Sequence, residues 1–112
     1  MKQKGLTLKP HIMALQITET RRMFSVHGVL NRGNAAILKR HLSRFLHPNK
    51  PVILNLERVL DIDMIAAHTL HELYLHAMRS NQILSIVGME NGNILPTLKA
   101  TKTTNILSHD RI

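Results

Sequence analysis

The chain has 112 residues, 15 Lys plus Arg against 7 Asp plus Glu, 8 His and a formal net charge of +8. That is room for one domain, and an apolar content of 44% is enough for a buried core, which excludes a disordered chain. The lack of cysteine excludes a disulfide framework, a thiolate metal site and a cysteine nucleophile, and no apolar run reaches the roughly 18 residues that a bilayer span needs. The opening Met1-Lys2-Gln3-Lys4-Gly5 lacks the apolar stretch of a signal peptide, so a soluble, cytoplasmic protein is expected.

Residues 1–11 read as an N-terminal extension, free to be flexible, ahead of a single domain over 12–108. Ile12 to Thr18 and Met23 to His27 read as two strands, joined by the polar Glu19-Thr20-Arg21-Arg22, with Gly28 ending the second. From Asn34 to His47 the residues Ala35, Leu38, Leu42 and Phe45 recur at three and four, which makes one face of a helix. Pro48 and Pro51 bracket a break. Val52-Ile53-Leu54-Asn55-Leu56 then reads as a central strand covered on both faces. After the acidic stretch from Glu57 to Asp63, the spacing of Ala66, Leu70, Leu73 and Ala77 predicts a helix from Met64 to Arg79. Asp63 is placed to cap it, since a carboxylate there accepts first-turn N–H groups and meets the positive end of the helix dipole. Ile83 to Val87 reads as a further strand, Asn91 to Thr101 as a shorter helix with Pro96 near its start, and Asn105 to Leu107 as an edge strand. The predicted fold is α/β, a small mixed sheet covered by helices joined through right-handed crossovers.

Three stretches in this order resemble the STAS domain, the fold of bacterial anti-sigma-factor antagonists. Val26-His27-Gly28-Val29-Leu30-Asn31 resembles the family's strand ending in Gly-x-Leu-Asp, Val52 to Glu57 with Val59 resembles its central strand, and Ile62-Asp63 resembles the opening of its next helix. The family follows that Asp with a phosphorylatable Ser or Thr, then Ser and Gly. Here Met64, Ile65 and Ala66 follow. The resemblance implies a non-enzymatic domain, with no cofactor, that docks on an anti-sigma factor or a related kinase-like protein. A thioether has no hydroxyl, so the charge of about −1.5 to −2 that phosphate would add at the helix start is unavailable at Met64. Met64 reads either as a tolerated apolar residue or as the mark of a switch that has been removed. The expected partner-binding residues are Leu30, Asn31, Arg32 and Asn34 with Asp63, Met64, Ile65 and Ala67. Short STAS proteins that stabilise the ATPase of a lipid-transporting ABC system offer an alternative, as does a sensory assembly of stacked STAS domains. A homodimer fits either.

Other sequence features point elsewhere. His68, Glu72 and His76, at i, i+4 and i+8, share one stripe of the second helix and form a weak candidate metal site, against the simpler reading of a solvated face. Asp61 and Asp63 read as a turn carboxylate and a cap before they read as an acid–base pair. No serine sits in a nucleophile-elbow motif and no Gly-rich phosphate loop is present, so no enzymatic activity is expected. Between Glu19 and Glu57 the sequence has no carboxylate but carries Arg21, Arg22, Arg32, Lys39, Arg40, Arg44 and Lys50, a field that attracts anions without selecting among them. With only Phe24, Phe45 and Tyr74 to stack on bases, specific nucleic-acid binding is not expected.

Overall fold

The computed structural model describes residues 4–7 by their backbone and residues 15–109 in full. Five strands form one sheet in chain order: β1 (Lys4–Thr7), β2 (Leu15–Thr20), β3 (Met23–Leu30), β4 (Val52–Ile62) and β5 (Leu84–Val87). The first three are antiparallel neighbours, and β3, β4 and β5 run parallel. The parallel pairs are bridged by α1 (Arg32–Ser43) and α2 (Met64–Arg79). Two right-handed crossovers that step the same way across a sheet put both helices on one face. The core lies there. Leu38, Leu42, Leu70 and Leu73 from the helices meet Phe24, Val26, Leu54 and Leu56 from the strands, all fully buried.

Lys4–Thr7 lies within the predicted extension and pairs with β2, from Lys4 opposite Glu19 to Thr7 opposite Gln16. Four residues show too little alternation to signal a strand from sequence. The starting part of the predicted strand at Ile12 lies outside the described residues. At the other end β2 runs on to Thr20, and the hairpin narrows to Arg21-Arg22, both in the left-handed region at φ 51° and 65°. That is the pattern of the two-residue hairpin turn that glycine and asparagine usually supply. Here long-range bonds offset the strain, because the Arg22 guanidinium donates to the carbonyls of Phe45, Lys50 and Pro51.

Further boundaries differ from the predicted ones. Gly28 does not end β3 but sits inside it at φ 121°, beside a register shift, and the strand continues to Leu30. β4 does not stop at Leu56 but runs through the acidic stretch to Ile62, because β3 offers it a parallel ladder along that length. Its burial alternates, with Asn55 only partly covered, so it is not covered on both faces. Both crossovers chose the same side. α1 ends at Ser43, four residues before His47, as Phe45 N–H bonds back to the Leu42 carbonyl at 2.9 Å and the Phe45 ring packs on Phe24 and His41.

α2 has the bounds its periodicity predicts. It ends where Asn81, at φ 58°, lets Gln82 N–H reach the Ala77 carbonyl at 2.8 Å and Asn81 N–H reach that of Met78 at 3.2 Å, a paired closure typical of helix C-termini. The third helix, α3 (Leu95–Ala100), is shorter than predicted, and Asn91 to Ile94 form turns before it. Asn91 is itself buried, its amide donating to the Leu56 and Val59 carbonyls at 2.8 Å each, where β4 runs past the end of β5. The predicted edge strand at 105–107 is instead a three-residue 3-10 turn, Thr104–Ile106, with a single parallel bridge from Leu107 to Ile86. One bridge satisfies the β5 edge only locally.

Candidate functional site

The β3–α1 and β4–α2 junctions meet at the carboxyl ends of the two central strands. Leu30 pairs with Ile62, and Asp63 N–H donates to the Leu30 carbonyl at 3.0 Å. Asn31 caps α1: its Oδ1 accepts from Gly33 and Asn34 N–H, both at 3.0 Å, while Asn34 Oδ1 accepts from Asn31 N–H at 2.7 Å. This reciprocal box starts the helix at Arg32, two residues earlier than its apolar spacing indicates. Asn34 is fully buried and its amide also donates to the Val29 carbonyl at 2.8 Å.

Asp63 joins the two helices. Its Oδ1 accepts from Ala66 N–H at 2.7 Å, the expected cap of α2, and its Oδ2 accepts from Arg32 N–H at 2.9 Å, the first residue of α1. One carboxylate therefore answers the unsatisfied donors of two helix N-termini and fixes them side by side. Asp61, the other carboxylate of the pair, turns back to the neighbouring Ile62 N–H at 2.9 Å. Nothing in that arrangement moves a proton between them.

On top of this joint lie the exposed members of the predicted surface: Arg32, Asp63, Met64 at 57% exposure and Ile65 at 50%, with Asn31 partly exposed. Leu30, Asn34 and Ala67 do not belong to it. All three are fully buried, so they hold the joint from beneath and have no surface to offer a partner. Sequence reasoning missed Leu60, 58% exposed on the strand leading into Asp63. The shift of register between Gly28 and Val29 leaves Leu60 opposite no β3 residue, and such a shift leaves no mark in hydropathy. Large apolar side chains standing this far into solvent beside one another are the usual mark of an interaction surface.

Residues 12–107 match the family model of the STAS domain. The chain belongs to the STAS family. No curated protein matches it. In this STAS domain the residue after the capping Asp63 is Met64, where the sequence resemblance places a hydroxyl, and its thioether lies at the first position of α2. The remaining sequence candidates are dispersed. His68, Glu72 and His76 are exposed along α2, Glu72 receives Lys39 of α1 at 3.2 Å, and among the described residues no three potential ligands are close enough to hold a metal ion. Arg40, Arg44 and His47 are exposed at the far end of α1 from the joint. No helix of the described residues is long and apolar enough to cross a membrane.

Proposed function

We propose that this STAS domain is a non-enzymatic interaction module of bacterial cytoplasmic regulation, resembling anti-sigma-factor antagonists, that docks on an anti-sigma factor or a related kinase-like protein. The docking residues are Met64, Ile65 and Arg32, with Asn31 and Asp63 at their margin. The observation that supports this reading is the pair of half-exposed apolar side chains seated on two helix N-termini locked by a single carboxylate. A rigid platform loses little conformational entropy on docking. Phosphorylation does not switch it at the usual position, because Met64 has nothing to phosphorylate.

The test is affinity capture with the tagged protein, followed by binding measurements on the recovered partner. Met64→Glu and Arg32→Glu are each expected to weaken that complex by more than about tenfold, a change of ~1.4 kcal/mol, without altering thermal stability, since both side chains are exposed. Recovery of an anti-sigma kinase or sigma factor supports the reading. Recovery of a transporter ATPase with membrane components assigns the domain to the ABC system instead, and a large homo-assembly on sizing chromatography assigns it to a stacked array. Unchanged binding by both variants removes the surface. Substrate turnover by the pure protein, or a phosphoryl group whose removal restores the complex, removes the function.

A further inference from the structure

The face of the sheet opposite the helices is polar across the middle of β2, β3 and β4, beyond the apolar pair Met23 and Ile53. A hollow of about 180 Å³ opens there, lined by Gln16 and Thr18 of β2, Ser25 and His27 of β3, and Arg58 of β4. These residues form two successive cross-strand rows, since Gln16 pairs with His27, His27 with Arg58, and Thr18 with Ser25. The pairing of His27 with Arg58 depends on a bulge. Between Ser25 and His27, β3 advances two residues while β4 advances three, from Asn55 to Arg58. In a regular ladder Glu57 would face His27. Instead the Glu57 carboxylate accepts Glu90 N–H at 3.2 Å, and a guanidinium takes its place.

A histidine opposite an arginine is an unfavourable cross-strand pair whenever the imidazole is charged. Among the described residues neither side chain has a hydrogen bond or an ion pair within the protein. The remaining lining groups can all donate: the Gln16 amide, the Thr18 hydroxyl, and the Ser25 hydroxyl, whose oxygen already accepts a long contact of 3.5 Å from Asn55 Nδ2. The lining has no carboxylate. Bulges recur beside binding sites because they re-aim side chains, and this one exchanges an acid for a base.

We propose that this hollow is an oxyanion site that takes a phosphoryl group, with Arg58 as its bidentate anchor and His27, Thr18, Ser25 and Gln16 as further donors. A planar guanidinium fork matches two phosphate oxygens. The site lies on the open face of the sheet, apart from the joint at the helix N-termini, and is independent of the docking role.

The experiment is titration of the full chain with inorganic phosphate, followed by amide NMR shifts. Saturable shifts are expected at Gln16, Ser25, His27 and Arg58. Arg58→Gln should weaken binding by about tenfold or more, Arg58→Lys by less, and Arg44→Gln, at the C-cap of α1, should leave it unchanged. Both positions are exposed, so these variants keep the fold, which unchanged melting verifies. Two further arms identify the source of the group. Glycerol 3-phosphate binding without vesicle binding assigns a soluble ester, and Arg58-dependent binding to phosphatidylcholine vesicles only when they contain phosphatidic acid assigns a lipid headgroup. No saturable shift with any of the three ligands, shifts spread over the α1 arginines, or equal affinity for Arg58→Gln would overturn the proposal.

Discussion

Asp63 is the residue on which the joint depends. Its two oxygens serve backbone donors of different helices, at 2.7 and 2.9 Å, so its loss removes the α2 cap and the tie to α1 together. A single cap is worth about 1 kcal/mol, and Arg32 N–H is exposed enough for water to replace the second acceptor in part. Asp63→Ala is therefore expected to lower stability by about 1–2 kcal/mol, a fall of several degrees in Tm by calorimetry. Asp63→Asn, which keeps one carbonyl oxygen for the α2 cap, should lose less; a stability equal to the parent for Asp63→Asn would show that the tie between the helices contributes nothing. The sequence made the α2 cap legible through an acidic residue directly before an apolar-periodic run. It could not reveal the bond to Arg32, 31 positions away, because that contact exists only once β3 and β4 lie in register.

At the scale of elements, the register shifts between β3 and β4 decide which side chains face which side. Gly28 stands at the second shift with φ 121°, a conformation that L side chains rarely adopt. Gly28→Ala is expected to cost about 1–3 kcal/mol in urea denaturation, and a stability equal to the parent would mean that the strand can relax the bulge. Glycine in a strand pattern reads from sequence as an end or a bulge, and only the pairing partner tells the two apart. The same holds for the acidic run 57–62. Its charges resemble a loop, yet Val59 and Ile62 are buried and the backbone continues the ladder. α2 was readable to its bounds because its apolar stripe, its cap and its Asn81 terminator agree. α1 was less so, since a reciprocal Asn31–Asn34 box starts it and Arg22, from another hairpin, holds the chain beyond its end.

At the scale of the molecule, the excess of positive charge is only partly free. In the stretch between Glu19 and Glu57, Arg22 is engaged by three carbonyls and Lys39 by Glu72, while Arg21, Arg32, Arg40, Arg44 and Lys50 stand exposed. Such a surface attracts any polyanion but offers few rings to stack on bases, so contact with nucleic acid would be made through phosphates alone. Fluorescence anisotropy with random duplex DNA is expected to show weak binding at about 50 mM salt that is lost by about 200 mM. A duplex that remains bound at the higher salt with sequence preference would contradict a module that works through protein contacts.

By itself the sequence determined the α/β class, the order of the main helices and strands, the membership of Met64 in a helix start, and the absence there of a hydroxyl, because these follow from local periodicity and from side-chain chemistry. Only the tertiary structure decided that both crossovers fall on one face, that Leu30, Asn34 and Ala67 lie buried while Leu60 is exposed, and that Arg58 rather than Glu57 stands against His27. Each of these depends on pairing between strands far apart in the chain, where a one-residue shift turns a side chain to the opposite side of the sheet and leaves composition unchanged.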